Sequence, residues 1–160
     1  MAHIISITQT KGGATKTTSS INILGALLEK GKKAILCDMD KDKPDAIFWA
    51  DLGTTLNNFV IPLYEDNPKP KLELLSKEYD FIIIDTPPNM QAAALKATIL
   101  SDFIIIPCSV SELDKNRIYR FIDSSDTTAN FVPVITSSLL FNVNKKDQEK
   151  IGINYPIQNE

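Results

Sequence analysis

The sequence predicts an α/β fold in which a mostly parallel, open sheet carries helices on both faces. Short apolar runs alternate with stretches that repeat hydrophobic residues at helical spacing, and the connections between them are short. Two runs, Phe81–Asp85 and Phe103–Pro107, are almost continuously apolar, which is typical of strands buried on both faces. The composition, with 43% hydrophobic and 23% charged residues, excludes disordered and fibrous proteins.

Each element can be placed from its local pattern. Strands are predicted over His3–Thr8, Lys33–Cys37, Phe59–Leu63, Phe81–Asp85, Phe103–Pro107 and Phe131–Thr136. Helices are predicted over Lys16–Lys30, Asn67–Tyr79, Met90–Leu100 and Glu112–Ile122. Pro62 lacks a backbone N–H, so it favours an edge position for the third strand. A short helix is expected to bury Trp49 together with Phe48. We expect residues 1–160 to form one domain with a polar, partly irregular tail over 140–160.

Several features limit the classes of function. Cys37 and Cys108 each adjoin an apolar run and form neither a disulfide framework nor a metal-ligand pattern, so we expect buried, reduced thiols. The apolar runs are too short to cross a bilayer, and the first residues do not resemble a secretory signal. We therefore expect a cytoplasmic protein without a membrane partner. The net charge of −3 gives no general attraction to nucleic acid.

The loop after the first strand carries the strongest functional signal. It runs over Thr10–Thr18 and opens the first long helix. Its glycines let backbone N–H groups surround an anion, the helix N-terminus adds positive charge, and Lys16 supplies a cation. The hydroxyl of Thr17 would then suit a magnesium ion. An ordinary glycine-rich turn that caps a helix is the alternative, but the position between strand and helix favours phosphate binding.

Four ordered segments resemble motifs of one protein family. They are Lys11–Thr18 (KGGATKTT), Ile35–Asp40 with its Asp-x-Asp ending, Phe81–Pro88 and Ser101–Pro107. Together they resemble the deviant Walker A box, the second strand, the Walker B strand with switch II, and the following strand of the ParA/MinD superfamily of P-loop ATPases. The short chain is most similar to the small plasmid-partition ParA proteins.

The resemblance implies an activity and a set of partners. It implies a P-loop ATPase that binds ATP and Mg²⁺, forms an ATP-dependent homodimer and hydrolyses ATP slowly. It further implies a role in plasmid or chromosome partitioning, with a centromere-binding protein as partner. A nucleotide-binding scaffold with little hydrolysis and a small P-loop kinase are the alternatives. The kinase is less favoured because the sequence shows no separate arginine-rich lid, and phosphate release with and without Lys11 would separate the three.

The resemblance also implies roles for individual residues. The expected nucleotide-binding residues are Lys11, Gly12, Gly13, Ala14, Thr15, Lys16, Thr17 and Thr18. The catalytic residues would be Lys11, which reaches the partner's ATP, Lys16, which contacts the β- and γ-phosphates, and Asp40, which positions the attacking water.

Metal binding is the other role that the resemblance implies. Thr17 would bind the ion directly, Asp85 would hold it through water, and Asp38 would support its outer shell. Asp38 and Asp40 also fit a simpler interpretation as loop caps at a strand end. A carboxylate after four apolar residues, such as Asp85, is costly to bury without a partner.

The sequence departs from the family pattern in four places. Thr15 replaces a glycine, and a positive φ there would strain a β-branched residue. Lys41–Lys43 stands where the family usually has Pro-Gln, so we expect switch I to move differently and to hold the attacking water less well. Val134–Ser137 lacks the pair that relatives place near adenine. The chain also ends earlier than small family members, so we expect a C-terminally shortened fold that is either naturally minimal or truncated.

DNA binding is expected to be weak. The chain has only two arginines, Arg117 and Arg120, which lie three apart on a predicted helix and share a face with Lys115 nearby. This is the only compact basic spot that the sequence predicts. A solvated helix surface is the favoured interpretation, and non-specific DNA binding is therefore doubtful.

Overall fold

The computed structural model describes residues 1–9, 13, 15–53, 55–88, 92–108, 116, 120 and 130–135. The strands are β1 (His3–Ile7), β2 (Ala34–Asp38), β3 (Val60–Pro62), β4 (Phe81–Asp85), β5 (Phe103–Cys108) and β6 (Asn130–Ile135). They form one six-stranded sheet in the order β3–β2–β4–β1–β5–β6, and each neighbouring pair is parallel. The predicted parallel sheet is confirmed, and β3, which contains Pro62, lies at its edge.

The helices in the described part of the chain agree with the predicted positions but are shorter. They are α1 (Lys16–Glu29), α2 (Asp45–Asp51), α3 (Lys69–Leu75) and α4 (Ala92–Ile99), with a 3₁₀ turn at Asn57–Phe59. α3 ends four residues before the predicted end because the N–H groups of Lys77 and Glu78 bond the carbonyls three residues back, which closes a tighter turn. The predicted helix over 112–122, apart from residues 116 and 120, and the tail over 140–160 lie outside the described residues.

Helices cover both faces of the sheet, and each face has its own apolar core. On one face Ile35 and Ile82 pack in a cluster that includes Leu72 of α3 and Ala97 of α4. On the other face Leu36, Ile83 and their neighbours form a cluster with residues of α1 and α2. Successive strand residues therefore enter opposite cores, which explains the continuous apolar runs of the sequence.

The register of the strands brings three strand ends to the same level. Asp38 at the end of β2 pairs with Asp85 at the end of β4, and Ile7 at the end of β1 also pairs with Asp85. The loops that follow these strands are consequently neighbours at the carboxyl edge of the sheet, where ligands of parallel α/β folds bind.

The expectation that Trp49 lies in the core was wrong. Trp49 and Phe48 are 51% and 64% exposed, whereas Ala46 and Ala50 are buried. The face of α2 that packs on the core carries the two alanines, which are one helical turn apart, so the large side chains point outward.

Cys37 and Cys108 are both buried thiols, as predicted. Burial raises the pKa of the Cys37 thiol to about 12, so this thiol is not reactive near neutral pH. Within the described residues, none of the helices is long and apolar enough to cross a membrane.

Candidate functional site

A cavity of about 290 Å³ opens at the carboxyl edge of the sheet. Its lining consists of Gly13, Thr15, Lys16, Thr17, Thr18, Asp40, Lys43, Asp45, Asp85, Thr86 and Pro88. The structure thus brings together residues of the loop after β1, the loop after β2 and the loop after β4. The remaining predicted loop residues, Lys11, Gly12 and Ala14, lie outside the described residues.

Thr15 has a positive φ, the conformation that the sequence analysis identified as strained for a β-branched residue. Its φ and ψ are 58° and 23°, in the left-handed region, and Gly13 also has a positive φ of 70°. A left-handed conformation costs a non-glycine residue about 1–2 kcal/mol. The carbonyl of Thr15 accepts the N–H of Ser19 at 2.9 Å, so this strained residue is the N-cap of α1.

Lys16 is a buried cation beside the start of α1. The residue is only 7% exposed, and within the described residues no carboxylate lies within 4.0 Å of its ammonium group. Burial lowers its pKa, while the charges of Asp85 and Asp40 act in the opposite direction. The first turn of α1 contains no acidic residue. A buried ammonium at the positive end of a helix is therefore suited to an anion such as phosphate.

Asp85 is a buried carboxylate with hydroxyl partners. It is 4% exposed, and its Oδ1 accepts a hydrogen bond from Ser20 Oγ at 3.1 Å. Burial raises the pKa of Asp85 to about 6, and the charge of Asp38 adds to this effect. Hydrogen bonds from Thr17 and Ser20 and the charge of Lys16 oppose it. A cation near this carboxylate would favour its ionised form.

The donor set fits a nucleotide-bound magnesium ion better than an isolated metal site. Among the described residues, no group of three or more His, Cys, Asp or Glu side chains could hold a metal. Magnesium is usually held by one or two carboxylates together with water and substrate phosphates. Thr17 and Asp85 line the cavity and could supply the protein's part of such a coordination sphere.

Asp38 holds the loop after β2 rather than lining the cavity. Its Oδ1 accepts the N–H of Asp40 at 2.9 Å, and its Oδ2 accepts the N–H groups of Ala46 and Ile47 at 3.1 and 3.2 Å. Burial raises the pKa of Asp38, and these three N–H donors oppose the rise. Asp38 thus has the capping contacts that the sequence also allowed, while its predicted support of a metal stays a prediction.

Asp40 extends from this loop into the cavity. It is half-buried, and its Oδ1 accepts the backbone N–H of Lys43 at 3.0 Å. Because Asp38 binds the N–H of Asp40 and Asp40 binds the N–H of Lys43, two successive carboxylates fix the path of the loop. The structure places Asp40 in the same cavity as Lys16, and its predicted role in positioning water stays a prediction.

Beyond the predicted residues, the site includes Ser20 beside Asp85 and the lining residues Lys43, Asp45, Thr86 and Pro88, to which the sequence analysis gave no role. Ser20 is fully buried and shares its hydroxyl proton between Asp85 and the Lys16 carbonyl, at 3.1 and 3.0 Å. Its position four residues after Lys16 on one helix is a signal that could have indicated it. Lys43 appeared in the sequence only as part of a departure from the family pattern.

Comparisons with known proteins identify the relatives of this chain. A family described as an AAA domain matches residues 2–55 and 63–131. The Maintenance of carboxysome distribution protein A of Halothiobacillus neapolitanus is 30% identical over 88% of this chain and 66% of that protein. The Septum site-determining protein MinD of Buchnera aphidicola is 30% identical over 94% of this chain and 70% of that protein. The chain spans 66% and 51% of the first two curated relatives.

Solved structures show the same fold. A plasmid partition protein of Borrelia burgdorferi bound to AMPPNP has a TM-score of 0.69 at 23% identity, covering 94% of this chain and 81% of that one. MinD of Pyrococcus horikoshii complexed with Mg-ADP has a TM-score of 0.75 at 19% identity, covering 96% and 79%. Because the family match covers more than half of the sequence and MinD of Buchnera aphidicola is 30% identical with 70% of its own length covered, this chain belongs to the ParA/MinD superfamily of P-loop ATPases.

Proposed function

We propose that this protein binds Mg·ATP in the cavity beside α1 and hydrolyses it slowly. The observation that carries the proposal is the buried ammonium of Lys16, which has no carboxylate within 4.0 Å among the described residues. It lies in one cavity with Thr17 and Asp85. This arrangement provides a cation for phosphate and oxygen ligands for a nucleotide-bound ion.

Each side chain of the site has a separate role in phosphoryl transfer in this proposal. Lys16 binds the phosphates, while Thr17 and Asp85 hold magnesium, which neutralises charge on the transferred group when it is bound. Asp40 orients the attacking water, and Asp38 supports that position because its carboxylate binds the N–H of Asp40. In this proposal Lys11, with Gly12 and Ala14, completes the phosphate-binding loop.

The proposal extends to assembly and cellular role. We propose an ATP-dependent homodimer, in which Lys11 contacts the ATP of the partner, and a role in plasmid or chromosome partitioning in the cytoplasm. The support is family membership. The names of the relatives cover carboxysome distribution, septum-site determination and plasmid partition, so spatial organisation within the cell is what these names share. A centromere-binding partner is part of this proposal.

Replacing Lys16 tests the nucleotide site. Lys16→Ala should weaken ATP binding at least about tenfold, because a charge-assisted hydrogen bond contributes about 1.5–3 kcal/mol. Titration calorimetry with Mg·ATP measures the change. Lys30→Ala is the matched control, since Lys30 caps the far end of the same helix. Equal ATP affinity of the wild type and Lys16→Ala would overturn the assignment of this site.

Replacing Asp40 tests hydrolysis separately from binding. Asp40→Ala should keep ATP affinity within about threefold but slow phosphate release by about 10²-fold or more, as expected for loss of water positioning. Asp42→Ala removes the same charge from an exposed position of the same loop and should change neither quantity. Wild-type turnover by Asp40→Ala would contradict this role. A wild type that binds ATP but releases no phosphate would favour the scaffold function.

A further inference from the structure

Lys43 is a second cation in the nucleotide cavity that the proposed function does not use. It lies in the loop between β2 and α2 and lines the cavity together with Lys16, Thr17 and Asp40. Among the described residues, the lining therefore includes two lysines, Lys16 at the start of α1 and Lys43 in the loop after β2.

The backbone of Lys43 is held on both sides. Its N–H donates to Asp40 Oδ1 at 3.0 Å, and its carbonyl accepts the N–H of Asp45 at 2.7 Å. Pro44 follows, and a residue before proline has a restricted backbone. The Cα position is thus fixed beside Asp40, and only the long side chain is free to change its direction.

The Lys43 side chain forms an exposed ion pair whose loss would change stability only slightly. Lys43 Nζ lies 3.2 Å from Asp45 Oδ2, and the two side chains are 76% and 49% exposed. Exposed ion pairs of this kind contribute little to stability because water screens them. A phosphate in the cavity would be a stronger partner, since it carries more charge and offers several acceptor oxygens.

The charges of the cavity indicate where such a cation is needed. Its described lining carries the carboxylates of Asp40, Asp45 and Asp85. Asp40 would face the terminal phosphate if it orients the attacking water, so the approach of that phosphate brings two negative groups together. A cation anchored next to Asp40 compensates this repulsion.

We propose that Lys43 leaves Asp45 and contacts the terminal phosphate of bound ATP, so that the loop after β2 distinguishes ATP from ADP. This inference rests on the proposed nucleotide site. In this proposal Lys16 contacts a phosphate that both nucleotides share as well as the terminal phosphate, whereas Lys43 contacts only the terminal phosphate, which ADP lacks.

The test compares two nucleotides and two lysines of the same loop. Calorimetry gives the affinities of Mg·AMPPNP and Mg·ADP for the full chain and for Lys43→Ala. We expect affinity for AMPPNP to fall about tenfold and affinity for ADP to stay within about twofold. Lys41→Ala is the matched control, because Lys41 is exposed in the same loop but does not line the cavity, and both of its affinities should stay at the wild-type level.

Two further variants sharpen the test. Lys43→Arg keeps the charge and should retain most of the preference for AMPPNP. Asp45→Asn releases the ammonium of Lys43 from its partner and removes a negative charge from the cavity lining, so AMPPNP affinity should rise. If Asp45→Asn instead weakens AMPPNP binding as much as Lys43→Ala does, the pair only holds the loop in place and the inference is overturned.

The remaining outcomes are distinguishable. Equal weakening of AMPPNP and ADP by Lys43→Ala, or the same effect from Lys41→Ala, would indicate general electrostatic attraction and would overturn the inference. Unchanged AMPPNP affinity in Lys43→Ala would do the same while leaving the nucleotide site intact. If the wild type binds neither nucleotide, the proposed function fails together with the inference.

Discussion

The ends of β2 and β4 carry two aspartates that are register partners but have different surroundings. Asp38 and Asp85 lie side by side and are 0% and 4% exposed. Asp38 accepts three backbone N–H groups, whereas Asp85 accepts the hydroxyls of Thr17 and Ser20. A backbone N–H can only donate, but a hydroxyl can donate or accept. Asp38 must therefore remain an acceptor, while the surroundings of Asp85 tolerate a change of charge or partner.

The largest expected effect comes from the same isosteric change at both positions. Asp38→Asn places an amide NH₂ against backbone donors and should lower the free energy of unfolding by about 2–4 kcal/mol. Asp85→Asn should lower it by less than about 1 kcal/mol, because the hydroxyls can accept from the new amide and a buried charge is removed. Urea unfolding of both variants in chelator near neutral pH measures the difference. Similar losses in the two variants would contradict the comparison.

The next largest effect is a dependence of the free energy of unfolding on pH, which arises from the titration of Asp85. Burial raises its pKa from 3.8 to about 6, so the folded protein binds this proton more tightly than the unfolded chain. The stabilisation is complete below the ordinary value and is lost as the pH rises through about 6. A shift of this size corresponds to about 2–3 kcal/mol.

The measurement is the free energy of unfolding of the metal-free protein between about pH 4 and about pH 7, with Asp85→Asn for comparison. Wild type should lose stability relative to the variant as the pH rises. The raised pKa of Asp38 acts in the same direction and is present in both proteins. A constant difference across this range would show that Asp85 does not titrate there.

Most of the fold could be predicted because its signals are local. The continuous apolar run of Phe81–Asp85 and the glycine-rich loop before α1 each identify an element and its place in a parallel sheet. The outward position of Trp49 could not be predicted in this way. A helix of two turns shows little periodicity, and the apolar count of α2 gave no sign that Ala46 and Ala50 form its buried face.

The sequence predicted residues of the candidate site but not the groups to which these residues are hydrogen-bonded. Asp38 and Asp85 look alike in the sequence, since each ends an apolar strand. The difference between them depends on which groups arrive from elsewhere: Asp38 meets the first turn of α2, eight and nine residues along the chain, and Asp85 meets Ser20, which is 65 residues away. Such contacts are set by how the helices pack, and no local pattern specifies them.

The smallest expected effect concerns Ser20, which is the hydroxyl partner of Asp85 that the sequence analysis missed. Ser20→Ala removes a donor to the ionised carboxylate, so it should lower the free energy of unfolding near neutral pH by about 1 kcal/mol. It should also raise the magnesium concentration needed for half-maximal ATP binding by about threefold to tenfold, because Asp85 becomes harder to ionise. Ser19→Ala makes the same change at the neighbouring, less buried position of α1 and should alter neither quantity.

A double-mutant cycle decides whether Ser20 acts through Asp85. When Asp85 is already Asn, adding Ser20→Ala should produce no further change in the magnesium requirement, since the carboxylate that the hydroxyl supports is absent. An additive change would mean that Ser20 affects the site through the packing of α1 and not through the hydrogen bond. In that case the hydroxyl of Ser20 would no longer count as a partner that stabilises the Asp85 carboxylate. The contrast between Asp85 and Asp38 would then depend on the hydroxyl of Thr17 alone.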